Sequence, residues 1–248
     1  MTLIRLVRAE LRKLTTTKMP LAFLLVLIAI SATTAIAVIF GADADGSKTF
    51  ISTADDQRSL MAFAANATMI AGLFGAIAVA REYGHGTVIP MFLSEPRRSR
   101  AMVAQYSAVF IGGGVLGLVG AALTIIGVAV GLTTTEFGFM LSAAGVAQVL
   151  AASALAGAAG ALLGAGLGAI IRNTGGAATG AVVALLILPP LLVQLASGTA
   201  SWIPASLAAV LSGVSTETAI PAAMAALAIW ALIPAAAGLL AVRRRDVV

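Results

Sequence analysis

The sequence contains no cysteine and a single histidine, His85. The first absence excludes a disulfide framework, a thiolate nucleophile, an iron–sulfur cluster and any cysteine zinc site. The second removes histidine-rich metal sites and makes a hydrolytic triad improbable. Charged residues are also scarce, at 10% of the 248 positions, against roughly 25% in an average soluble domain, and aromatics reach only 5%. What fills the chain instead is apolar: 60% is hydrophobic, in long runs of Ala, Leu, Val, Ile and Gly without strand-type alternation. That composition excludes a soluble globular protein and specifies a helical membrane protein.

Six apolar spans can be read, over 20–41, 59–80, 101–131, 142–171, 176–196 and 219–242. A hydrocarbon core of roughly 30 Å needs about 20 helical residues, so each span can cross it. The third and fourth exceed that length, which implies tilt, kinks or protruding ends. Thirteen basic residues fall on one side of these spans: Arg5, Arg8, Arg12, Lys13, Lys18, Arg81, Arg97, Arg98, Arg100, Arg172, Arg243, Arg244 and Arg245. Only Lys48 and Arg58 fall on the other. The positive-inside rule then puts both termini in the cytoplasm and the chain in the cytoplasmic membrane as a multi-pass protein. The net charge of +5 is thus a topology signal, and nucleic-acid binding has no support. A signal peptide is the rival reading of the N-terminus, but the first apolar run is too long for such a segment and five spans follow it.

The expected fold is therefore all-α, a single transmembrane domain of six helices with two additions. Residues 1–19 form an N-terminal amphipathic helix, with Ile4, Val7, Leu11 and Leu14 on one face and Arg5, Arg8 and Arg12 on another. Such a segment lies in the headgroup region of the lipid bilayer, unless it is an extension of the first span. Pro189-Pro190 is expected to break the fifth span, and short outer helices are expected before the sixth, with Trp202 as an interface anchor. The inner connection 81–100 is the longest of its side and carries six charges, Arg81, Glu82, Glu95, Arg97, Arg98 and Arg100, around the apolar stretch from Thr87 to Leu93.

By this assignment the spans hold no Asp, Glu, Lys, Arg or His, whereas ion-coupled carriers usually place a carboxylate, histidine or basic residue inside the membrane. No Walker A loop is present, since Lys13, Lys18 and Lys48 follow Arg12, Thr17 and Ser47 rather than glycine. The chain thus binds no nucleotide or other cofactor of its own by any motif it displays, and nothing marks it as an enzyme. Gly160, Gly164 and Gly168 form a small-xxx-small stripe for helix packing, as Gly113 with Gly117 and Gly176 with Gly180 can also do. His85, between two glycines, has no second ligand or base near it in sequence. The run Arg243-Arg244-Arg245 reads most simply as a topological anchor on lipid phosphates.

The segment Ala80-Arg81-Glu82-Tyr83-Gly84-His85-Gly86-Thr87, followed by Pro96-Arg97-Arg98-Ser99-Arg100, resembles the connection between the second and third helices of ABC-2 type permeases. The ends, Ala9-Glu10-Leu11-Arg12-Lys13-Leu14 and Arg244-Arg245-Asp246-Val247, are similar to that family's ends too. Pro90, inside the expected short helix, and Gln105, where a lysine is frequent, depart from its pattern. The resemblance implies a membrane subunit of an ABC exporter that pairs with a second six-helix permease subunit, as a homo- or heterodimer, and with two ABC ATPase subunits that bind ATP and Mg. It also implies that Glu82, Gly86, Thr87, Pro96, Arg97 and Arg100 belong to a coupling loop that docks on the ATPase. A secondary carrier or channel without ATP coupling, and a non-transporting membrane scaffold, are the competing readings.

Overall fold

The computed structural model describes residues 2–42, 46–95 and 97–244, without the side chains of residues 64, 65 and 94. The chain is all-helical across them. α1 covers Leu3–Thr16 and α2 Met19–Phe40; α3 (Ala54–Met61) leads into α4 (Ala64–Gly84), and the short α5 (Val88–Ser94) into α6 (Arg98–Leu132). Then come α7 (Ala143–Ile171), α8 (Thr174–Val182), α9 (Leu188–Leu195), α10 (Pro204–Leu211) and α11 (Ile220–Arg244). Among the described residues six stretches are long and apolar enough to cross a membrane: α2, α3 with α4, α6, α7, α8 through α9, and α11. Their backbone groups bond within each helix, which is what lets an apolar segment exist in lipid.

α7 is the hub, because alanine and glycine leave it so thin that helices approach on several sides. A Cβ at Gly160, Gly164 or Gly168 would run into the backbone of Thr68, Gly72 or Ala76, so the stripe seats α4. Another face brings Gly157 against Gly113 and Gly117 of α6, and Gly166 lies against Pro234 of α11. Close approach of this kind yields dispersion and weak Cα–H contacts, the forces that remain between helices when lipid is as apolar as the side chains. Gly176 and Gly180 differ, for a Cβ at either would meet side chains and no backbone: Ile171 at Gly180, and Ile171 with Asn173 at Gly176. α2 buries just Leu27, Ser31 and Val38 and leans on α6, where the Ser31 hydroxyl donates to the Leu123 carbonyl at 2.5 Å.

Three features differ from the sequence expectation. The second crossing stretch starts at Ala54 rather than at residue 59 and in two pieces, because Thr53 and Asp56 form a capping box that starts the separate helix α3. The buried amide of Gln57 then pins that helix, donating to the carbonyls of Ile51 and Gly138 and accepting from the N–H of Met140. At its other end α4 runs on to Gly84, so Arg81, Glu82 and Tyr83 are helical and not part of a loop. Finally, Pro189 and Pro190 do not break the fifth span. The five residues Val183–Ile187 adopt a π-helical turn just before them, and the rod continues to Leu195. A wider turn makes room for the proline rings over the carbonyls one turn back and absorbs the missing donors. Short helices follow as expected, the 3₁₀ turn Ser197–Trp202 and α10, and the Trp230 indole donates to the Trp202 carbonyl at 2.9 Å.

Leu14, Met19, Tyr83, Met102 and Val242 gather in one apolar cluster, so the two ends of the chain lie at the same end of the bundle. That end carries most of the basic residues; Val38, Ile51, Met61 and Leu132 close the opposite one, where Lys48 donates to the Val38 and Ile39 carbonyls.

Candidate functional site

At the basic end a cavity of about 710 Å³ opens between α1, the last turn of α4 and α5. Val7, Leu11 and Leu14 of α1 are half-buried, while Arg5, Arg8 and Arg12 are exposed, and Ile4 is 75% exposed. The packed side of α1 also brings Glu10 and Lys13 onto the cavity wall. Facing them is Glu82, only 7% exposed at the end of α4. Its carboxylate accepts from the Thr87 hydroxyl and lies 3.6 Å from the Lys13 ammonium. Lys13 also pairs with Glu10 at 2.9 Å, so one ammonium bridges two carboxylates from different helices. Burial raises the Glu10 carboxyl above its ordinary range; Lys13 opposes the rise, and the Glu82 charge adds to it.

The backbone shape of the turn follows from its residues. Gly86 sits at φ 68 with open space around it, a left-handed conformation that a Cβ disfavours. That reversal delivers Thr87 back over Glu82, where its hydroxyl bonds the carboxylate and, at 3.3 Å, the Glu82 carbonyl. His85 is exposed, with Nδ1 2.9 Å from the Arg81 carbonyl, which it satisfies at the helix end. Pro90 occupies the third position of α5 without preventing it, since the first turn of a helix needs no donor there. α5 is tied forward as well: the Arg98 guanidinium stacks 5.8 Å from the Phe92 ring, and Arg100 pairs at 3.7 Å with Glu95, itself 6% exposed. Behind the site, Arg172 ends α7 in a left-handed conformation with φ 59 and stacks 5.1 Å over the Tyr83 ring.

Of the residues singled out in the sequence, Glu82, Gly86 and Thr87 come together in one turn. Arg97 is exposed at the start of α6, and Arg100 is occupied by Glu95. Pro96 and Arg245 lie outside the described residues. The glycines Gly160, Gly164 and Gly168 stand apart from the cavity, yet they seat the helix that carries Glu82. Sequence reasoning missed Lys13 as the partner of Glu82, Glu10 as the second acid on that ammonium, and Glu95 as a buried acid. The only local signal was the Glu-x-x-Lys spacing in α1, which says the two can pair but not what else they face. Among the described residues no group of three or more His, Cys, Asp or Glu side chains is gathered to hold a metal. Compared with known proteins, the chain matches no family model and no curated protein sequence.

Proposed function

We propose that this protein is the membrane-spanning permease subunit of an ATP-driven ABC exporter, with the turn and helix between α4 and α6 as the element that docks on separate ATPase subunits. The observation that carries this reading is the buried Glu82 carboxylate, braced by Thr87 and Lys13. A carboxylate is buried only where partners compensate it, and a solvated turn has no need of one. Here it makes the end of α4, α5 and α1 a single rigid unit that can pass a push at α5 into the bundle. In this reading both termini face the cytoplasm, α1 lies at the inner lipid interface with Arg5, Arg8 and Arg12 toward phosphates, and a second six-helix subunit completes the pathway. ATP and Mg reside on the ATPase.

Arg97 is the cleaner docking test than Arg100, because reversing Arg100 also breaks its pair with Glu95. Arg97→Glu is expected to weaken co-purification of the ATPase at matched expression, more so at low salt where the field of a surface charge reaches further. Full retention and unchanged ATP hydrolysis in Arg97→Glu and in Glu82→Ala together would remove the loop from the mechanism.

A further inference from the structure

On the flank where α6 and α11 both lean on α7, the two outer helices diverge and leave a furrow. It consists of two adjoining cavities of about 470 Å³ and 300 Å³ that share Phe110, Leu162 and Leu232. On α11 its wall is Met224, Ala228, Leu232, Ala236 and Leu239, a spacing of four and three that keeps one helix face. The alanines make a trough, and Phe110, Leu155 and Leu232 stand exposed along it at 42%, 44% and 56%. Two polar side chains border the trough: the Ser107 hydroxyl already donates to the Val103 carbonyl at 2.8 Å, and the Tyr106 hydroxyl is buried without a hydrogen-bond partner among the described residues, so the exposed lining is apolar.

We propose that this furrow binds the acyl chain of an anionic phospholipid whose phosphate pairs with Arg243. Arg243 is exposed one turn beyond Leu239 on the same face of α11, so the apolar trough ends on a cation at the basic end. From Leu239 to Met224 the trough runs about 22 Å at the rise of an α-helix. An acyl chain entering at Arg243 therefore stays within it past the midplane of a core roughly 30 Å thick. The occupant is a lipid rather than a second copy of this chain for a reason of charge. Two copies in one membrane, paired across this face by a two-fold axis along the bilayer normal, would set Arg243 beside the partner's Arg243. A phosphate is the complement, and a like charge is not.

The experiment uses the full-length protein, purified in a neutral detergent and incubated with equal amounts of phosphatidylglycerol and phosphatidylcholine of identical acyl chains. Bound lipid is counted by native mass spectrometry. Phosphatidylglycerol is expected to be retained about fivefold over phosphatidylcholine, the preference one arginine near the membrane surface supplies. Arg243→Gln should keep lipid but equalise the two, whereas Ala236→Phe or Ala228→Phe, at exposed positions that tolerate bulk, should lose both by filling the trough. Equal retention of the two lipids by the unaltered protein, or unchanged retention in both filled variants, would overturn the proposal. The absence of cysteine adds a third arm. Chains carrying Ala236→Cys that cross-link to one another on oxidation in the membrane would give the furrow to a second copy instead.

Discussion

Replacing Glu82 by alanine tests whether the turn after α4 is braced or merely solvated. The side chain is 9% exposed and is held by the Thr87 hydroxyl and, at 3.6 Å, by Lys13. Lys13 is 40% exposed and keeps Glu10 at 2.9 Å, so the lost ion pair contributes no more than about 0–1 kcal/mol. Thr87 keeps its weaker bond to the Glu82 carbonyl at 3.3 Å, which limits the penalty of an orphaned hydroxyl. The charge-assisted hydrogen bond dominates, at about 1.5–3 kcal/mol. A local opening made easier by about 1–3 kcal/mol raises the open population about 5- to 150-fold, and limited trypsin cleavage after the exposed Arg97 should accelerate by that factor when reclosing is fast. Glu82→Gln keeps an acceptor for Thr87 and should fall between. ATP hydrolysis and export, measured with the ATPase at matched abundance, should drop more than protein level does. A cleavage rate and coupling indistinguishable from the unaltered chain would show that Glu82 braces nothing.

Gly164→Leu forces α7 away from the backbone of Gly72 and should reduce the yield of folded protein, the cost of overpacking being about 1–3 kcal/mol or more; Gly198→Leu, with open space around its Cβ, is the control, and equal yields would show that the α4–α7 approach carries no stability. Ser47→Cys should react with an impermeant thiol reagent in intact cells and Ser99→Cys only after permeabilisation; the reverse pattern would invert the topology. The raised Glu10 carboxyl favours the protonated folded form. The unaltered chain should therefore lose stability relative to Glu10→Gln as pH rises from about 4.5 through the folded value, and a flat difference in thermal unfolding across that window would discount the burial of Glu10.

Hydropathy alone located the six helices, because a membrane span meets its two requirements locally: its backbone bonds close within the segment and its length must match the hydrocarbon. The same locality let the scarcity of basic residues between the first and second spans mark one end of the bundle. The stripe at Gly160, Gly164 and Gly168 was legible as a packing face, yet only the tertiary structure decided that α4 lies on it, since small residues permit approach without selecting a partner. Pro189 and Pro190 announced an irregularity, but whether a helix breaks or widens depends on what the next turns can pack against. Here a π-helical turn absorbs them. Glu82 was visible as a charge beside a glycine turn. Its burial was not, because that follows from the rotation of α4 against α1 and from the reversal at Gly86 that returns Thr87. Residues far apart in sequence meet at Lys13 and Glu82 through the geometry of packed helices, and no pattern along the chain encodes which faces those helices present to one another.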